Sequence, residues 1–160
     1  MKHLVLFIFI LLTLGSQAQY NYDIQKKNNL IRVVKDTAKA EDIYKSLVKY
    51  CVKQGLEFQT RDTDLFQFRT KPKKIEKGSF INVSYSVTVI DSVIYFRSFY
   101  FSDMSGGGYS GGISMTVNPT EERSYFSGWP APKAAFLKLV DFMHGYVQTG
   151  GFKIEFQTEE

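Results

Sequence analysis

The stretch FINVSYSVTVIDSVIYFRSFYF, residues 80–101, decides the fold. Apolar and polar residues alternate from Ile81 to Val89, which is the period of a strand whose successive side chains point to opposite faces of a sheet. A second apolar run follows Asp91-Ser92, so the stretch predicts two antiparallel strands joined by a two-residue loop. The predicted cross-strand pairs are Val89 with Ile94, Val87 with Phe96, Tyr85 with Ser98, and Val83 with Tyr100. This register gathers the aliphatic side chains on one face, which we expect to be buried.

The opposite face of this hairpin carries small polar residues beside large aromatic ones. Its predicted members are Asn82, Ser84, Ser86, Thr88, Tyr95, Arg97, Phe99 and Phe101. A one-residue slip would exchange the faces of one strand, so this composition depends on the register. Aromatic and arginine side chains are frequent anchors of binding surfaces. The candidate binding residues are Tyr95, Arg97, Phe99 and Phe101, with Tyr109 and Trp129 near them, and whether later segments cover this face is left open.

Residues 1–18 have the features of a secretory signal peptide. Lys2 precedes an apolar run over residues 4–14, and Ser16 and Ala18 are the small residues typical of a cleavage site. The run is roughly ten residues long, short of the ~20 that span a bilayer. We therefore expect cleavage near Ala18 and an exported protein, periplasmic or extracellular, with no stable membrane span.

Length, charge and cysteine content limit the function classes. A chain of 160 residues forms one domain with its own core. The net charge of +4 is too mild to indicate a nucleic-acid partner, and no cofactor is expected. Cys51 is the single cysteine and lies on the apolar side of a predicted helix, so we expect a buried thiol and no intramolecular disulfide.

The remaining pattern predicts strands bunched between two helices. After a polar lead-in at residues 19–29, the sequence predicts a strand at 30–34 and a helix over 38–54 that is capped by Asp36 or Thr37 and stopped by Gly55. A hairpin over 56–69, a lysine-rich loop at 71–78 and the central hairpin follow. The remaining predicted segments are a Gly-rich loop at 106–112, a strand at 113–117, brief pairing within 121–127, a helix ended by Gly150-Gly151, and a strand at 152–156. This order, β-α-β-β-β-β-β-α-β, predicts an α+β domain over residues 30–160: a two-layer fold with an antiparallel sheet of about five to seven strands and two helices on one face.

Three motifs that suggest chemistry are weak. Residues 106–111 fit G-x-G-x-x-G, but a strand pattern follows where a dinucleotide site needs a helix. Asp62-Thr63-Asp64 fits turn chemistry better than a calcium loop. Asp141 and His144 are spaced to meet on one helix turn, although the nucleophile that a hydrolase needs is missing.

The helix EDIYKSLVKYCVKQG at 41–55, the hairpin FQTRDTDLFQFRT at 58–70 and the hairpin VSYSVTVIDSVIYFRSF at 83–99 resemble, in order and spacing, the domain of unknown function DUF4468 of exported proteins. The resemblance implies a TBP-like fold over residues 30–101. It implies no activity and no site residues.

The sequence as a whole leads us to expect a non-enzymatic binding or envelope-associated module whose partner is an envelope protein or a glycan. Two alternatives remain open. One is a carrier that holds an apolar ligand between sheet and helices. The other is an envelope hydrolase that uses His144 and Asp141.

Overall fold

A computed structural model of the chain describes residues 22–35, 37–76, 79, 81–102, 121–128, 130–148 and 152–159. Its elements are β1 (Leu30–Val34), α1 (Ala40–Lys53), β2 (Phe58–Asp62), β3 (Gln67–Thr70), β4 (Lys73–Lys74), β5 (Ile81–Ile90), β6 (Val93–Ser102), β7 (Glu122–Arg123), α2 (Pro130–Val147) and β8 (Lys153–Gln157). The predicted α+β class is confirmed. The Gly-rich loop and the strand predicted at 113–117 lie outside the described residues.

The described strands form one antiparallel sheet in the order β2-β3-β5-β6-β1-β8. The two short strands lie off this path, β4 beside β5 and β7 beside β6. The sheet thus has eight strands in the described part of the chain, more than the predicted five to seven. The difference includes β4, because Lys73 and Lys74 pair with Val83 and Asn82 inside the segment predicted to be a loop.

The central hairpin has the predicted register. Val87 pairs with Phe96 and Val83 with Tyr100, and the loop is Asp91-Ser92. Asp91 has a φ of 53°, in the left-handed region that aspartate tolerates better than most residues. A loop without glycine therefore still closes the hairpin.

Both helices pack on the face that holds the aliphatic residues of the hairpin. Leu47 of α1 and Leu139 of α2 are fully buried in one cluster with Val87 and Phe96. Cys51 lies in the same cluster with no exposure, as predicted. Burying each large apolar side chain stabilises the fold by ~1.5–3 kcal/mol, so this layer is the main source of stability.

The ends of α1 differ in how well the sequence predicted them. Gly55 has a φ of 66°, and Leu56 N–H donates to the carbonyl of Cys51, the glycine-terminated end that was expected. The predicted start was wrong, because the cap position is Lys39 and no side chain caps it. Acidic residues in the first turn, Glu41 and Asp42, favour the positive end of the helix dipole instead.

Residues 22–29, expected to be a loosely held lead-in, are bonded to the rest of the described fold. Lys27 N–H donates to the carbonyl of Phe126, and Phe126 N–H donates to the carbonyl of Asn28, each at 2.8 Å. The ring of Tyr22 lies 5.3 Å from that of Phe156. The segment therefore belongs to the packed structure.

Candidate functional site

The side of the sheet opposite the helices, which we call the outer face, carries the candidate residues of β6. Tyr95, Arg97, Phe99 and Phe101 alternate with the helix-facing Phe96 and Ser98, so the four share one face. All four are half-buried, and none is highly exposed. Tyr109 and Trp129, predicted to lie nearby, are outside the described residues.

Arg97 is held by the C-terminal segment. Its Nε and Nη2 atoms donate to the two carboxylate oxygens of Glu159, both at 2.7 Å. Arg123 approaches the same carboxylate at 3.2 Å. Asn29 fixes the backbone of Glu159 through two hydrogen bonds, from Glu159 N–H to Asn29 Oδ1 and from Asn29 Nδ2 to the Glu159 carbonyl. Glu159 thus reaches Arg97 from a fixed position.

This contact shifts both ionisation equilibria. The hydrogen bonds from Arg97 hold the pKa of Glu159 below its ordinary value, against an opposing effect of burial. The hydrogen bond to Glu159 likewise raises the pKa of Arg97. The pair is therefore charged at neutral pH.

Arg69 of β3 also lies on the outer face, in register with Ser86 of β5. Its guanidinium lies 4.5 Å from the ring centre of Phe99 and forms an ion pair with Glu121. Its Nη2 lies 3.3 Å from the hydroxyl of Ser84, which is fully buried. Burial lowers the pKa of Arg69, but a guanidinium, whose ordinary pKa exceeds about 12, stays protonated. One side of the Phe99 ring is thus occupied by a fixed cation.

A third pair lies where β1 meets β8. Arg32 Nη1 donates to Glu155 Oε2 at 2.7 Å. Glu155, and after it Tyr95, raises the pKa of Arg32 through hydrogen bonding. The pKa of Glu155 is lowered, first by Lys153 and then by Arg32.

Each arginine of the outer face among the described residues contacts a glutamate. The arginines are Arg32, Arg69, Arg97 and Arg123, and their partners are Glu121, Glu155 and Glu159. Of these seven residues, only Arg97 was assigned to the candidate face from the sequence. Alternation places Arg69 and Arg32 on this face once the strand order is known, whereas no local pattern assigns Glu159 to Arg97.

His144 and Asp141, the residues of the hydrolase alternative, lie on α2. The Nδ1 atom of His144 is 2.7 Å from the hydroxyl of Tyr22, which therefore holds the ring in place. Asp141 is exposed and lines a cleft beside Tyr85. The hydrolase stays a hypothesis without a nucleophile assigned to it.

Reactive-thiol and metal chemistry gain no support from the described residues. Burial raises the pKa of the Cys51 thiol to about 12, so thiolate is scarce at neutral pH. Within the described ranges, no group of three or more His, Cys, Asp or Glu side chains is placed to hold a metal ion. The Asp62 carboxylate instead accepts hydrogen bonds from the N–H groups of Asp64 and Leu65, which is turn chemistry.

The layer between sheet and helices, where a carrier would hold its ligand, is filled by side chains in the described part. Phe96, Phe136 and Leu139 have no exposure. Tyr85 and Phe142 stack with ring centres 5.0 Å apart. A cleft of about 280 Å³ opens at the rim of this layer.

Two comparisons with known proteins found no match. No protein-family model matches the chain, and no curated protein matches it significantly. The resemblance to DUF4468 stays a prediction. Of the helices in the described residues, neither has the length and apolar character needed to cross a membrane.

Proposed function

We propose that the protein is an exported, non-enzymatic binding module that holds an envelope protein or a glycan on its outer face. The observation that carries the proposal is the arrangement of the arginines. Arg97 and Arg69 are fixed by glutamates beside half-buried aromatic rings, so hydrogen-bonding groups and apolar surface lie next to each other in set positions. Groups that are already ordered lose little conformational freedom when a partner binds.

The charge balance of the outer face supports a partner of low net charge. An unpaired row of arginines would attract phosphate or other anionic polymers. Here the carboxylates of Glu121, Glu155 and Glu159 offset the arginines. A neutral glycan, or a protein surface without strong charge, fits this face better than nucleic acid does.

The test compares binding of the wild-type protein and a Tyr95→Ala/Phe101→Ala variant to a glycan array and to cross-linked envelope fractions. Leu65→Ala is the matched control, because Leu65 is an apolar side chain 62% exposed in the β2–β3 turn. We expect one set of partners to be retained by wild type and control and lost by the double variant. Circular dichroism verifies that each variant is folded.

Salt dependence gives a second readout. Binding to a partner of low charge should change little as salt rises from about 0.05 M to 0.5 M, since screening acts on unbalanced charge. Retention of all partners by the double variant would exclude the outer face as the site. A steep loss of binding with salt would show that the partner is charged, contrary to the proposal.

A further inference from the structure

The cleft at the rim of the helix layer lies away from the outer face and has a lining of its own. It opens where the end of α1, the middle of α2 and the short strand β4 meet over β5. Its volume of about 280 Å³ is just below the ~300–1,000 Å³ of sites that hold drug-sized molecules. A ligand that fits is therefore small, on the scale of one ring with one polar group.

One side of the cleft is aromatic. Tyr50, Tyr85 and Phe142, which we call the aromatic wall, all line it. The Tyr85 and Phe142 rings are stacked with an interplanar angle of 16°, and the Tyr50 ring centre lies 5.3 Å from that of Phe142. Aromatic rings attract further rings in offset or edge-to-face contact. The wall thus favours a planar ligand.

The lining of the cleft also carries positive charge. It includes three lysines, Lys73, Lys74 and Lys138, which we call the rim lysines, and one acidic residue, Asp141. The ion pairs found in the described part of the chain use other lysines, Lys45, Lys71 and Lys153. The rim lysines are therefore available to an anion, unlike the arginines of the outer face.

Tyr85 adds a hydrogen-bond donor inside the cleft. Its hydroxyl lies 3.4 Å from the carbonyl oxygen of Lys138, longer than a normal O–H···O bond, so a better acceptor would displace this contact. Burial, and after it the Asp141 carboxylate, raises the pKa of Tyr85 above its ordinary value. The hydroxyl accordingly keeps its proton and donates.

We infer that the cleft binds a small aromatic carboxylate, whose ring lies against the aromatic wall and whose acid group is held by the rim lysines and the Tyr85 hydroxyl. The charge complementarity selects an anion, and the rings select a planar one. Asp141 opposes the negative charge of the ligand and limits its affinity.

The test is a titration of the isotopically labelled protein with phenylacetate, followed by amide chemical shifts. Phenylacetamide has nearly the same shape without the charge, and we expect it to bind about ten-fold more weakly. Hexanoate, an anion without a ring, should also bind more weakly. Shift changes should concentrate on residues of α1, α2 and β4 that line the cleft.

Variants separate the charges from the fold. Lys138→Gln should weaken phenylacetate binding several-fold, and Asp141→Asn should strengthen it. Lys153→Gln is the control, because Lys153 is exposed on β8 and should leave binding unchanged. The Tyr95→Ala/Phe101→Ala variant should bind phenylacetate normally, which distinguishes this site from the outer face.

Four results would overturn the inference: no phenylacetate binding at roughly 10 mM, equal affinity for phenylacetamide, weaker binding by Asp141→Asn, or equal binding of inorganic phosphate. Equal binding of inorganic phosphate would show a site for small anions in general and would equally refute a role for the aromatic wall.

Discussion

Replacing Glu159 with glutamine should destabilise the fold by about 1–2 kcal/mol. The substitution keeps the shape of the side chain and removes its charge. Arg97 then stays half-buried without a counter-ion, and Arg123 loses its contact with the same carboxylate. An amide oxygen can still accept one hydrogen bond, which keeps the loss below that of a fully broken pair.

The magnitude follows from the exposure of the pair. Fully exposed ion pairs contribute about 0–1 kcal/mol, and breaking a buried pair costs about 3–5 kcal/mol. The side chains of Arg97 and Glu159 are 21% and 35% exposed, and both hydrogen bonds measure 2.7 Å. Solvent still reaches a third of the Glu159 side chain and screens its charge. The expected loss of about 1–2 kcal/mol therefore lies between the two values, closer to that of an exposed pair.

Urea unfolding monitored by circular dichroism measures the change. The melting temperature should fall by about 2–4 °C for each kcal/mol lost. A double-mutant cycle with Arg97→Gln isolates the coupling between the two side chains from their other contacts. Glu41→Gln is the matched control, because Glu41 pairs with Lys45 on the exposed surface of α1, where both side chains are more than half exposed.

Acid should remove the same contribution. Because the pKa of Glu159 is lower in the folded state than its ordinary value, the stabilisation is complete above the unfolded value of about 4.3. It is lost as the pH falls through the lowered pKa, and Glu159→Gln should lose less stability over that interval than wild type. A coupling energy no larger than that of the Glu41–Lys45 pair would refute the reasoning.

Two further predictions concern side-chain packing around the helices. Gly145→Ala places a methyl group against the hydroxyl of Tyr50. It should lower the free energy of unfolding by about 1–2 kcal/mol in the same urea assay, despite the better helix propensity of alanine. Gly128→Ala is the control and should change the free energy of unfolding little, because the space around Gly128 is open. The cost of Gly145→Ala should shrink in a Tyr50→Phe background, and an unchanged cost would show that the hydroxyl is not the obstacle. Cys51, whose pKa is raised to about 12 by burial, should react with Ellman's reagent at pH 8 far more slowly in the native than in the urea-unfolded protein; comparable rates would contradict its burial.

The sequence predicted best where a local pattern is enforced by burial. Strict alternation over residues 81–89 fixes which side of β5 meets the helices, and a slip in its pairing with β6 would expose the core residue Phe96. The same reasoning placed Cys51 in the core, because Cys51 lies on the apolar side of an amphipathic helix and that side packs against the sheet.

Contacts between segments far apart in the sequence could not be predicted from local patterns. The pairing of β1 with both β6 and β8 decides that Arg32 meets Glu155, and no periodicity in the sequence assigns those neighbours. Glu159 reaches Arg97 because Asn29 bonds its backbone, a contact between residues far apart in the chain. The sequence therefore predicted that the four β6 residues share one face, while the glutamates that balance its charge were missed.

The pairing of β1 with β8 also determines when the sheet can be completed during translation. The first strand of the described fold pairs with its last, from Leu30 opposite Gln157 to Val34 opposite Lys153. When a ribosome has released everything through α2, one edge of β1 still lacks its partner, and residues 28 and 29 still lack their bonds to residues 157–159. Contacts of such long sequence separation are slow to form. The chain therefore completes its sheet only after β8 has emerged from the ribosome.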